Sequence, residues 1–185
     1  MTRQITILVG SLAIASCSPD YVYRPSENAT TTITGHPAAD YQIPPKAPQG
    51  DVRLAYFGVT KISANGAPKQ KQKAFHVRMV VTDNGQTPWT MDTRQQAIAF
   101  PDGQEVAPAH VTTNDGQMDL PSVVVPARGE RVIDLFYRLP ANLRSASQVP
   151  AFTVVWHVDT PQQQVTERTR FERMLVEPTA VPTFE

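Results

Sequence analysis

The sequence predicts an all-β fold, an antiparallel β-sandwich of about seven or eight short strands. Two observations carry that expectation. Segments of alternating polarity recur about every ten residues from residue 51 onward, and Asx-Gly or proline turns separate them. Helical periodicity is confined to residues 140–148, room for a turn or two. No internal repeat is visible, which argues against a propeller.

Residues 52–59 are the first strand candidate, of mixed polarity. Residues 74–82 are clearer: Phe75, Val77, Met79 and Val81 face one way, His76, Arg78 and Thr82 the other. Asp83-Asn84-Gly85 supplies the positive-φ chemistry of a tight turn. Residues 96–100 run into a second turn at Pro101-Asp102-Gly103, and a short strand follows at 105–109. Residues 111–121, with Asn114-Asp115-Gly116 inside, are expected to form a polar loop. Residues 122–125 form a short apolar strand, and the chain turns at 126–130. In the next strand Val132, Asp134 and Phe136 oppose Ile133, Leu135 and Tyr137. Residues 152–159 carry the strongest pattern, with Phe152, Val154, Trp156 and Val158 on the inward face. The return strand, 165–174, points Thr166, Arg168 and Arg170 to water.

Upstream the chain has another character. Residues 18–50 hold six prolines and no sustained hydrophobic period. They are expected to be an extended tether, spanning on the order of 30 Å on average and roughly 100 Å when stretched. Tyr21, Tyr23 and Tyr41 stand out in such a linker. Either they have no role, or the segment around Tyr41-Gln42-Ile43-Pro44-Pro45 packs against the domain or a partner in a polyproline-like conformation.

Arg3 and the apolar run from Ile5 to Ile14 have the layout of an export signal, and the run is too short to span a bilayer. Ile14-Ala15-Ser16-Cys17 resembles the lipobox of bacterial lipoproteins: an aliphatic residue, two small ones, then cysteine. Cys17 is the only cysteine among 185 residues and stands where a lipobox requires it. The resemblance implies cleavage after residues 1–16, lipidation of Cys17 and attachment to a membrane. It also implies the outer rather than the inner membrane, because Ser18 is not the aspartate that retains lipoproteins at the inner one. The domain organisation expected is therefore a signal (1–16), a lipidated cysteine with its tether (17–50) and a sandwich (51–185). With the thiol consumed, no disulfide supports that sandwich.

The order of turn signals resembles the immunoglobulin-like domains of many bacterial lipoproteins of uncharacterised function. It runs through Thr82-Asp83-Asn84-Gly85, Pro101-Asp102-Gly103, Val125-Pro126-Ala127-Arg128-Gly129-Glu130 and Phe136-Tyr137-Arg138-Leu139-Pro140. The resemblance covers roughly residues 52–172 and implies an immunoglobulin-like sandwich. It implies no activity.

Chemistry is sparse. Seventeen basic residues balance seventeen acidic ones, so a nucleic-acid partner is not expected. No Gly-x-Ser-x-Gly, His-Glu-x-x-His or phosphate-cradling loop occurs, and no cofactor is called for. His36, His76, His110 and His157 include no pair at metal-ligand spacing. His76 and His157 would face each other, with Asp159 nearby, only if their strands were neighbours. The three Asx-Gly turns offer calcium-type oxygens, which turn chemistry already explains. Trp156 belongs by phase to the core. Trp89, in a polar connection, either plugs one end of the sandwich or is exposed for recognition.

The expectation is a non-enzymatic, membrane-anchored envelope lipoprotein that presents its domain to another envelope protein, with Trp89 and Tyr41 as candidate binding residues. The alternatives are a polysaccharide or peptidoglycan binder and, less favoured, an envelope hydrolase.

Overall fold

A computed structural model describes residues 21–64, 67–143 and 146–175. Two antiparallel sheets pack face to face, as the alternation requires, and bury a common core between them. The larger elements of one sheet are β3 (His36–Ile43), β4 (Gly50–Ala64), β5 (Ala67–Asp83) and β11 (Gly129–Arg138). With β2 (Thr31–Ile33) and β9 (Pro108–Thr113) they run in the order β2-β3-β4-β5-β11-β9. The facing sheet is β1-β13-β12-β6-β10, built from β1 (Tyr21–Pro25), β6 (Trp89–Asp92), β10 (Ser122–Val125), β12 (Phe152–Asp159) and β13 (Gln164–Leu175). Off that path β7 (Ala97–Ala99) pairs with β12, and β8 (Glu105–Val106) with β7.

The inward faces are the ones the alternation selects. Phe75, Val77, Met79 and Val81 are buried, and so are Phe152, Val154, Trp156 and Val158 on the opposing sheet. On β11 the ambiguity resolves in favour of Ile133, Leu135 and Tyr137, all inaccessible to solvent. Burial raises the hydroxyl pKa of Tyr137 and Tyr56.

The described residues form thirteen strands, more than the seven or eight expected, for three physical reasons. The segment read as a tether is β-structure: β1, β2 and β3 lie within residues 21–43. Its prolines punctuate rather than dissolve the strands. Pro25 ends β1, Pro37 lies where β3 meets the short edge strand β2, and Pro44, Pro45 and Pro48 turn the chain into β4 after a cis Ile43–Pro44 bond. What holds the segment down is aromatic and apolar burial. Tyr23 packs edge-on to Tyr56 at 4.9 Å and donates a 2.7 Å hydrogen bond to the Val149 carbonyl. Ala38, Ala39 and Ile43 are buried too. Second, a 3-10 turn at Thr93–Gln95 splits one potential strand into β6 and β7. Buried Gln96 bridges that break by donating to the Asp92 and His157 carbonyls. Third, part of the expected polar loop, residues 111–113, is the end of β9.

Trp89 does not reach solvent. It is 1 % exposed and plugs the end of the sandwich where β4 begins. A Cβ on Gly50 would stand 2.0 Å from the Thr82 carbonyl oxygen and 2.6 Å from the Trp89 ring, so only glycine fits there.

Candidate functional site

The outward face of an antiparallel sheet normally alternates to polar residues. Here the outer face of the six-stranded sheet carries a transverse row of rings. His36 on β3, Phe57 on β4, His76 on β5, Phe136 on β11 and His110 on β9 follow one another across five adjacent strands. The ring centroids are 4.1, 5.1, 4.6 and 5.7 Å apart in that order. Strand register places Phe136 directly opposite His76 on one side and His110 on the other. Phe57 joins the row through a bulge between Tyr56 and Val59, where Gly58 takes a positive φ of 93°.

One carboxylate organises the centre of the row. Asp134 accepts a 2.7 Å hydrogen bond from Arg78 Nε and a 3.0 Å bond from its terminal nitrogen, and it pairs with His76 Nε2 at 2.7 Å. Burial alone would raise the Asp134 pKa. The hydrogen bonds from His76 and Arg78, with their charges, outweigh it and hold the carboxyl below its ordinary value. The Arg78 guanidinium also lies 4.8 Å over the Phe57 ring. Beside the row, Ile33, Ala38, Ala55 and Val80 form a second apolar cluster, with Phe57 and Val132 packed against it. At the row's end His110 Nδ1 meets Asp119 at 2.7 Å. Half-buried rings and one fixed arginine, lying over buried apolar residues, give a surface of the composition that carries binding energy between proteins.

The other candidate residues go elsewhere. Tyr41 lines a cleft of about 320 Å³ at the open side between β3 and β13. Its ring lies 5.2 Å from Trp156. The Trp156 indole donates to Thr169 Oγ1 at 3.0 Å, and the Thr169 hydroxyl donates to the Tyr41 oxygen at 2.9 Å. Asn28, Asp40, Gln42, Gln163 and Glu167 add polar groups around it. Trp89, buried under Gly50, offers no recognition surface, which settles its two readings in favour of the plug. His76 and His157 do not come together: they stand on the outer sides of opposite sheets, and His157 pairs with Thr166 instead. Asp83 and Asp102 each cap the amide two residues on, as turn chemistry predicts. Among the described residues no three His, Cys, Asp or Glu side chains gather as metal ligands. No helix among them is long and apolar enough to cross a membrane. Cys17 lies outside the described residues.

The ring row escaped the sequence because its members come from five strands and none is adjacent in the chain. Only the outward phase of His76 was legible; the alternation of β11 left the side on which Phe136 falls open.

No family model and no curated protein matches the chain. A solved structure described as "X-ray structure of Northeast Structural Genomics Consortium target SoR45" aligns with 72 % of this chain and 92 % of its own. The identity is 10 % and the TM-score 0.33, a likeness that carries no argument about function.

Proposed function

We propose that the chain is a non-enzymatic lipoprotein of the bacterial envelope, anchored at the outer membrane through Cys17. Its immunoglobulin-like domain presents the outer face of the six-stranded sheet to a protein partner. The observation that carries the partner reading is the ring row with Arg78 and Asp134 at its centre. The immunoglobulin-like reading is supported by strand order. Taking β4 and β5 as A and B, the sheets read β4-β5-β11-β9 and β13-β12-β7-β8, which is A-B-E-D facing G-F-C-C′.

Two experiments test this. Capture of envelope proteins from solubilised membranes should be lost in a Phe57→Ala, Phe136→Ala double variant whose far-UV dichroism is unchanged. Partner capture that survives this change places the interface elsewhere. Cys17→Ser should abolish both palmitate labelling and membrane fractionation; retention of both would put the anchor at another residue.

The Tyr41 cleft supports a second reading, a glycan or peptidoglycan ligand. An aromatic ring flanked by side-chain amides and carboxylates suits a sugar, stacking one face and meeting its hydroxyls. Retention on purified cell wall that disappears in Tyr41→Ala would favour it over a protein partner.

A further inference from the structure

The chain's charges balance overall but not in space. Between Asp51 and Asp83 there is no acidic residue, and the lysines at 61, 69, 71 and 73 fall in that interval. The middle of it is the arm formed by the far parts of β4 and β5. There β3 no longer pairs with β4, since their ladder ends at Ala38 and Ala55, and β11 leaves β5 at Ala74. Register puts Lys61 opposite Lys73 and Ser63 opposite Lys71, so the three lysines share one face of a two-stranded ribbon. Lys61 and Lys71 are exposed.

The same end of the sandwich is where β1 begins and β13 finishes. Tyr21 is paired with Leu175, and the Arg173 guanidinium sits 3.4 Å over the Tyr21 ring. Arg173 also donates to the Ser147 carbonyl, in the connection that joins β11 to β12. Met174 and Leu175 are 47 % and 57 % exposed, two of the few large apolar side chains that face water. Among the described residues the acidic side chains placed at this end are Asp102 and Glu172, the latter opposite Arg24, and Asp20 and Glu177 adjoin its two strands in the sequence. Tyr21 is four residues beyond Cys17, and four residues of chain reach at most roughly 14 Å.

We infer that this end, with Lys61, Lys71 and Lys73 on the arm and Met174 and Leu175 beside it, is a docking surface for the anionic headgroups of the bilayer that holds the chain. The inference rests on the lipid-anchor reading. A chain tied at Cys17 brings this end within one or two Debye lengths of the headgroups, close enough for lysines to feel their potential. The domain then stands end-on with the arm against the lipid, and the ring row faces sideways into the aqueous space. Each lysine at an anionic surface favours the docked state roughly fivefold.

The test uses the full lipidated chain reconstituted in vesicles of phosphatidylcholine alone or of phosphatidylcholine with phosphatidylglycerol. Flotation with phosphatidylcholine vesicles reports the anchor, and amide hydrogen exchange over residues 59–63 and 71–75 reports docking. Slower exchange in the arm with phosphatidylglycerol, reversed by high salt, supports docking. A Lys61→Glu, Lys71→Glu variant should lower the docked-to-free ratio by twentyfold or more while its dichroism and flotation stay unchanged. Exchange that is the same in both lipids, with flotation intact, overturns the docking surface and leaves the anchor standing. Loss of flotation on phosphatidylcholine with arm protection kept on phosphatidylglycerol overturns the anchor and keeps the surface. Arm protection by a soluble polyanion but by neither vesicle overturns the lipid assignment.

Discussion

Two tryptophans show what phase can and cannot reveal about single residues. Trp156 alternates with Phe152, Val154 and Val158, and the core holds it as that pattern requires. Trp89 has no such pattern around it, because it opens the short strand β6 and its ring lies close against Gly50 from across the sandwich. A partner that arrives from 39 residues upstream leaves no periodic trace. Both residues are fully buried, so Trp89→Ala should cost about as much as Trp156→Ala, roughly 3–5 kcal/mol each in urea melts. For Asp134 the sequence shows only that it shares a face with Val132 and Phe136; that this face is outward, and that His76 and Arg78 are its partners, becomes visible when β5 pairs with β11. Its pKa is depressed on folding, so it contributes stability above the unfolded carboxylate value near 3.9 and loses it as pH falls through the lower folded value. Asp134→Asn should therefore be destabilised by about 1–2 kcal/mol at neutral pH. The gap from the parent should close as melts are repeated toward pH 2.

At the level of elements, the strong alternations on β5, β12 and β13 are legible because each strand buries one face and wets the other. The elements that escape are those whose burial depends on a neighbour. The arm of β4 and β5 is rich in lysine and glutamine, and it takes its conformation from cross-strand pairing rather than from an apolar face. In β1 and β3, prolines hide the signal, although Tyr21-x-Tyr23 and Tyr41-x-Ile43 keep the two-residue period. Hydrogen exchange discriminates directly between strand and tether. The backbone amides of residues 21–25 that face β13 should be protected along with those of β12, whereas a free tether would exchange at once. Tyr23→Phe should destabilise the domain by about 1–2 kcal/mol, since it strips the Val149 carbonyl of its buried donor.

For the whole molecule, the sandwich class follows from local signals, but its closure does not. The sheet that begins with β1 is sealed by β13, so the earliest described strand pairs with the last. That pairing fixes how the domain answers to mechanical load. β1 runs antiparallel to the last part of β13, from Tyr21 opposite Leu175 to Pro25 opposite Phe171, and β12 pairs with the rest of β13 from Gln164 to Phe171. A pull between an anchor at Cys17 and a partner on the body acts along β1 and shears its five paired residues against β13. In shear the hydrogen bonds between the strands share the force and must fail together, whereas a peeling geometry would break them one after another. On the proposed anchor and partner, such a domain would transmit tension between them before its first strand lets go.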